Sequence, residues 1–181
     1  MRIISGKARG TKLFTLEGVN TRPTLDRVKE PLFSIISLYI PDANVLDLFA
    51  GSGALGLEAL SRGAKSVVLC DNSKDAISVI NNNLKKTKME AEIVNNDFVK
   101  CLEQMKGKQF DIIFLDPPYE TNYLERAINK ILEYDLLSEG GIIVAETDNQ
   151  KIVEDIEKLD IAVKDIRRYG RVILIFLKRK G

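Results

Sequence analysis

The 181-residue sequence predicts an α/β fold: a doubly wound, mostly parallel seven-stranded sheet of Rossmann-like type with one antiparallel strand, preceded by a small N-terminal hairpin and helix. Three observations carry this. From Val45 onward, short runs that are apolar throughout alternate with amphipathic helical patterns, as expected for parallel strands buried on both faces. The last two apolar runs are joined only through Gly170, a connection too short for a crossover helix, so they must pair as an antiparallel hairpin. Before Val45 the pattern is different and does not repeat the strand–helix unit.

The elements follow in order. "RIISG" and "TKLFT" flank "KARG" and predict the hairpin; a helix starts near Thr24, with Val28, Leu32, Phe33 and Ile36 on one face. Pro31 falls within that helix and is expected to kink or break its first turn. "NVLDLFA" is the first strand of the alternating region, and "ALGLEALSRGA" the next helix, with Gly63 where a left-handed cap belongs. "SVVLCD" (66–71), "AEIVNND" (91–97), "FDIIFLD" (110–116) and "GGIIVAET" (140–147) are further strands. Between them "KDAISVINNNLKKT", "FVKCLEQM" and "NYLERAINKILEYDLL" read as helices, and "QKIVEDIEKL" follows the fifth strand. "IAVKDIRRY" and "RVILIFLKR" form the final hairpin. This divides the chain into an extension, residues 1–40, and a main domain, residues 41–181.

Composition narrows the function. Hydrophobic residues make up 45% and charged residues 29%, as in a soluble globular domain. No apolar run nears the roughly 20 residues of a membrane span, and "MRIISGKARG" lacks a secretory apolar core, so the expectation is a cytoplasmic monomer. Cys70 and Cys101 have no metal or redox spacing and read as reduced structural thiols. There is no histidine, which removes the commonest general base, the His-dependent nucleophile systems and most zinc sites; no metal is expected. The net charge of +1 hides two basic ends: residues 1–30 carry seven Lys/Arg against three Asp/Glu, and residues 164–181 seven against one. Such ends can meet a phosphate backbone if the fold brings them together.

The stretch "VLDLFAGSGALGLEAL" sets Gly51, Gly53 and Gly56 in a G-x-G-x-x-G pattern between a strand and a helix. Such glycines let the backbone turn tightly and approach a ligand. Asp71, 20 residues after Gly51, can accept from ribose hydroxyls. These features fit a nicotinamide dinucleotide and S-adenosylmethionine equally. Asp47 tilts the choice: a carboxylate four residues before Gly51 would repel a pyrophosphate but suits the ammonium and sulfonium of S-adenosylmethionine. In "NNDF", Asp97 can accept from an adenine amino group while Phe98 packs beside the ring. Phe49 and Ser52 in the turn, and Asn72 after Asp71, complete the candidate cofactor contacts.

Asp116-Pro117-Pro118-Tyr119 follows the fourth strand and should face the cofactor's reactive end. A ring-conjugated amine becomes nucleophilic when acceptors hold its N–H groups. The Asp116 carboxylate is one acceptor and the Pro117 carbonyl, fixed by the following proline, a second. Tyr119 offers a stacking face for a flipped base. The chemistry indicated is S-adenosylmethionine-dependent methylation of an exocyclic amine, with positioning supplying most of the rate.

"FAGSGALGLEALSRGA" and "FLDPPY", preceded by "RIISGKARGTKL" and "TRPTLDRVKEPLFSII", resemble the RsmD-type 16S ribosomal RNA guanine-N2 methyltransferases, from Arg2 to about Glu146. The resemblance implies a class I methyltransferase fold, S-adenosylmethionine as donor, and a guanine of 16S rRNA, within a partly or fully assembled small subunit, as target. It implies that Gly51, Gly53, Asp71 and Asp97 hold the cofactor and Asp116 to Tyr119 the base. It also implies that Arg22 and Thr24, in the "RPTLDRVKE" block with Arg27, cover the pocket or touch RNA. Two stretches depart from it: "LCDNS" ends the second strand with aspartate where glutamate is frequent, and the last hairpin matches only loosely. Arg2, Lys7, Arg9 and Lys12 are then expected near the rim of the site, gripping phosphates. The alternatives are an adenine-N6 or other nucleic-acid amino-methyltransferase, which has the same tetrapeptide; an NAD-dependent oxidoreductase; and a non-catalytic RNA-binding module.

Overall fold

A computed structural model describes residues 1–16, 23–119 and 121–181. Seven strands form one sheet in the order β3-β2-β1-β4-β5-β7-β6: β1 (Asn44–Asp47), β2 (Ser66–Asp71), β3 (Glu92–Asn95), β4 (Phe110–Leu115), β5 (Leu137–Thr147), β6 (Ala162–Tyr169) and β7 (Val172–Lys178). All pairs among β1–β5 are parallel; β7 runs antiparallel to both neighbours, β5 and β6. The final hairpin thus inserts its second strand beside β5 and leaves its first at the sheet edge. The doubly wound class and the single antiparallel strand are as predicted.

Helices α1 (Pro23–Ile35), α2 (Ala54–Ser61) and α3 (Lys74–Thr87) cover one face, sharing a core with Val45, Leu69, Phe114, Leu174 and Phe176. Helices α4 (Phe98–Gln104), α5 (Tyr123–Glu133) and α6 (Gln150–Glu157) cover the other, over Leu46, Cys70, Ile113, Ile143 and Ile175. Adjacent strand residues feed opposite cores, which is why the strands read as unbroken apolar runs.

Several boundaries moved for physical reasons. The first strand of the alternating region ends at Asp47, because from Leu48 the chain bends into the glycine turn. The helix expected to run through Leu137 stops at Glu133: Asp135 turns left-handed (φ 54°), and Leu137 already pairs with Phe110 in β5. Pro31 lies deep inside α1 and does not end it. Burial of Val28, Leu32, Phe33 and Ile36, about 1.5–3 kcal/mol each, outweighs the roughly 3 kcal/mol a mid-helix proline costs. Gly63 follows the C-cap of α2 with φ 110°, the capping role its position predicts.

The N-terminal hairpin is slighter than expected, with one bridge, Arg2–Lys12. Side chains on α2 hold it down. Glu58, fully buried, accepts from the N–H groups of Ile4 (2.9 Å) and Ser5 (3.1 Å). It also pairs with Lys29 Nζ (2.9 Å) and Arg62 Nε (2.9 Å). Ser61 Oγ accepts from Ala8 N–H and donates to the Ser5 carbonyl. Ile3, Ala8 and Leu13 join the α1–α3 core.

Candidate active site

The strand order reverses between β1 and β4, and a crevice opens outside their carboxyl ends, where open parallel sheets hold ligands. A cavity of about 490 Å³ occupies it. Its wall takes in the glycine turn after β1, Asp71 and Asn72 after β2, Asn96 to Val99 after β3, and Asp116 to Pro118 after β4.

The glycine turn is built by its neighbours. Asp71 accepts from Gly51 N–H through Oδ2 (2.8 Å) and from Ser73 N–H through Oδ1 (2.9 Å), tying the turn to the end of β2. Gly56 faces away from the cavity: a Cβ there would lie 2.5 Å from Leu69 Cδ2 and 2.9 Å from Val67 Cγ1, so this glycine lets α2 lie close on β2. Its N–H donates to Asp47 Oδ2 (3.1 Å). Gly53, the left-handed N-cap of α2 (φ 84°), also stands behind the wall, whereas Gly51 and Ser52 line it.

Asp47 is the most perturbed group of the site. It is 1% exposed, and burial pushes its carboxyl from 3.8 to about 7, against the lowering effect of the Gly56 N–H and with a smaller upward push from Asp71. Its Oδ1 is the one buried side-chain oxygen or nitrogen without a hydrogen-bond partner among the described residues, and Asp47 lines the cavity. Such an atom is costly unless a ligand meets it.

At the end of β3, Asp97 is the N-cap of α4, its Oδ1 accepting from Lys100 N–H (3.0 Å). Phe98 packs against Phe49 (ring centroids 5.3 Å apart) and Tyr123 (4.7 Å). Tyr123 stacks on Phe49 with rings 8° from parallel. Arg126 lies over Phe98 at 5.0 Å and over Tyr123 at 5.7 Å. Tyr123 and Arg126 line the cavity but escaped sequence analysis: in α5 they read as ordinary helix surface, and only the loop after β4 brings them back to β1. Met1, Thr15 and Leu16 were missed for a similar reason, since only the docking of the N-terminal segment carries them to the wall.

Asp116 is half-buried and Pro117 buried, and both line the cavity with Pro118. Tyr119 does not line it; its hydroxyl donates to Glu146 Oε1 on β5 (3.1 Å). Asn83 was also missed. Fully buried on α3, its Oδ1 accepts from Phe14 N–H (2.7 Å), and its Nδ2 donates to the carbonyls of Phe14 (3.0 Å) and Ser52 (2.9 Å). One amide thus joins the N-terminal segment to the glycine turn. Cys70 and Cys101 are free and buried in one core; the Cys101 sulfur beside Cys70, together with burial, pushes the Cys70 thiol up.

The basic residues are scattered. Arg2, Lys7, Arg9, Lys12 and Arg27 are all exposed. Lys7 N–H, however, bonds to the carbonyl of Ser61 at the far end of α2. Eight residues of helix separate that end from the glycine turn, about 12 Å. Lys7 and Arg9 thus lie away from the cavity mouth rather than at its rim, while Arg2 and Lys12 stand nearer Met1 and Thr15. Arg22 and the side chain of Thr24 fall outside the described residues.

A family model described as "Conserved hypothetical protein 95" matches residues 1–178. The chain is 39% identical to a putative rRNA methyltransferase of Bacillus subtilis over the full length of both. It is 40% identical to ribosomal RNA small subunit methyltransferase D of Escherichia coli, over 82% of this chain and 75% of that protein. Among solved structures, a putative methyltransferase from Escherichia coli superposes with a TM-score of 0.86 at 34% identity, over 100% of this chain and 98% of that one.

Proposed function

The chain belongs to the RsmD-type methyltransferases, and from that premise we propose that it transfers the methyl group of S-adenosylmethionine to the exocyclic N2 of a guanine in small-subunit (16S) ribosomal RNA. One observation carries the reading: the unpartnered, buried Oδ1 of Asp47 shares a cavity wall with Asp116, Pro117 and Pro118. A buried carboxylate oxygen calls for a cation or a donor, and acceptors after β4 call for an amine. Relatives named as small subunit rRNA methyltransferases support the RNA class.

The residues present fit the cofactor. Asp47 meets its positive charge. Each Asp71 oxygen accepts one backbone N–H and keeps a lone pair for a ribose hydroxyl. Asp97 caps α4 with one oxygen, and its other oxygen would accept from the adenine amino group, beside the Phe98 ring. S-adenosylmethionine supplies a methyl group on a positively charged sulfur.

The chain's own contribution is positioning. The Asp116 carboxylate and the Pro117 carbonyl accept the two N–H bonds of the target amine, which turns its lone pair toward the methyl carbon. Pro118 keeps that carbonyl from rotating. As the new N–C bond forms, the methyl–sulfur bond would break with its electron pair going to sulfur, leaving a neutral thioether, and the surplus amine proton would pass to Asp116. Alignment in a water-poor cavity is the main source of rate. Arg2, Lys12 and Arg27 grip phosphates; the active unit is a monomer, and the substrate is a partly or fully assembled small subunit.

The test is transfer of labelled methyl from S-adenosylmethionine to small subunits purified from cells lacking this enzyme, followed by nucleoside analysis. N2-methylguanosine is the expected product. Methyladenosine would overturn the guanine assignment, and transfer only to naked RNA or DNA would overturn the subunit as substrate.

A further inference from the structure

We propose that the tip of the β6–β7 hairpin, with Arg168 and Arg171, is a second phosphate-binding surface that holds the RNA on the side of the active site opposite the N-terminal segment. The proposal rests on RNA being the substrate, as argued above.

Topology makes the case. Because β6 is parallel to β1–β5, its end and the turn at Gly170 stand at the carboxyl edge of the sheet, the edge that carries the cavity. The register fixes the level. Leu115, immediately before Asp116, pairs with Ala145. On the next row Glu146 pairs with Leu174, and Leu174 with Arg167; on the row after, Thr147 pairs with Ile173, and Ile173 with Arg168. Arg167 and Arg168 therefore stand level with the start of the Asp116–Tyr119 loop, three strand spacings away, about 14 Å. The Tyr119 hydroxyl bonds to Glu146 on the same row, so loop and hairpin are parts of one continuous rim.

Charge points the same way. Arg167, Arg168 and Arg171 are exposed. Arg167 is paired with Asp165 at 2.8 Å, whereas Arg168 bonds only to the neutral Gln150 and Arg171 has no acidic partner among the described residues. Among the described residues, neither of these two positive charges at the rim meets an acidic group. The last two basic residues of the chain, past the end of β7 at the opposite edge of the sheet, have acidic partners: Arg179 pairs with Asp135 and Lys180 with Asp160. The N-terminal segment approaches from the other flank, fastened by Asn83 of α3, which packs on β2 and β3. The cavity mouth at β1 and β4 lies between the two. A strand fed across it would be gripped on both sides of the target nucleotide by contacts that position without reading sequence.

The experiment compares methyl transfer to small subunits by the wild type, by Arg168→Glu/Arg171→Glu, by Arg168→Lys/Arg171→Lys, and by Lys65→Glu/Lys108→Glu, a charge reversal just before the amino ends of β2 and β4, at the far end of the sheet. The tip reversal should raise KM for the RNA substrate at least about tenfold. It should leave kcat at saturation and S-adenosylmethionine affinity as in the wild type, and flatten the dependence of log KM on log salt by about one to two. The lysine pair should stay within about threefold of wild type, and the far-end reversal should match it. A tip reversal that behaves like wild type, or no worse than the far-end reversal, overturns this proposal and leaves the function standing. A wild type that binds S-adenosylmethionine yet methylates neither subunits nor RNA overturns both.

Discussion

Asp47 shows how one buried carboxylate can tie cofactor binding to pH. Its folded value, about 7, lies above the ordinary 3.8. Between about pH 4 and pH 7 the unfolded chain has released this proton and the folded chain has kept it. The group's effect on stability therefore declines as pH rises across that window and is constant above about pH 7. The change is about 4 kcal/mol at 1.4 kcal/mol per unit. A cation in the cavity reverses the preference by favouring the carboxylate, so S-adenosylmethionine should bind about tenfold more weakly at pH 6 than at pH 8. Calorimetry in buffers of different ionisation enthalpy should detect proton release on binding, and Asp47→Asn should abolish both effects. S-adenosylhomocysteine separates the partners: the same pH dependence places Asp47 at the ammonium, and none places it at the sulfonium. At Asp116 the expected outcome is different. Asp116→Asn should keep S-adenosylmethionine affinity within about threefold while lowering kcat at least about a hundredfold, and equal losses in both would remove Asp116 from the transfer step. These carboxylates were legible in the sequence because their strand-end spacing is fixed by the fold. That Asp71 also braces Gly51, and that Asp97 also caps α4, was not, since both roles depend on backbone direction.

At the scale of elements, the N-terminal segment is fastened by polar groups that no periodicity reveals. Glu58 reads as one more charge on an amphipathic helix, yet it is fully buried with four donors. Burial alone would raise its value; the Lys29 ammonium foremost, then the Ile4 N–H and Arg62, outweigh that and hold it below the ordinary 4.5. With the folded value depressed, its contribution is present above about pH 4.5 and is lost as pH falls through the folded value. Glu58→Ala removes the carboxylate that neutralises Lys29, itself 1% exposed, and should cost about 3–5 kcal/mol in denaturant unfolding. Glu58→Ala/Lys29→Met should recover much of that; a double variant no better than the single would mean the ion pair is not the source. Asn83→Ala removes three partly buried hydrogen bonds between residue 14, the glycine turn and α3, at about 1–3 kcal/mol. Its signature should be faster amide exchange at Leu13 and Phe14 and at Gly53, with the far strands β6 and β7 unchanged. Uniform acceleration would instead mark global destabilisation. Neither residue was legible: a buried Glu or Asn looks in sequence like a surface one until its backbone partners in the N-terminal segment, 53 to 69 residues away, are folded onto it.

Over the whole molecule, the strand–helix alternation specified the layers and the short Gly170 turn specified the antiparallel strand, because both are local signals. Charge was not legible in the same way. Two basic ends in sequence become four places in space: Arg2 and Lys12 near the mouth, Lys7 and Arg9 about 12 Å down α2, the β6–β7 tip on the active edge, and the paired tail at the opposite edge. Position along a strand decides which charges can reach a substrate, and sequence spacing alone does not reveal the end of the sheet at which they emerge. The cavity, in contrast, gathers groups from four strand ends, so a ligand that fills it should stabilise the molecule as one unit. At a hundred times its dissociation constant S-adenosylmethionine should add about 2.7 kcal/mol, which for a chain of this size raises Tm by about 5–10 °C. Thermal unfolding with S-adenosylmethionine, S-adenosylhomocysteine and NAD in parallel decides the cofactor. A shift with the first two and none with NAD is the result that the carboxylate at Asp47 requires, because a pyrophosphate would have to sit beside it. A shift with NAD alone would mean that Asp47 stays protonated in the complex, and the assignment of the cavity to a sulfonium donor would fall.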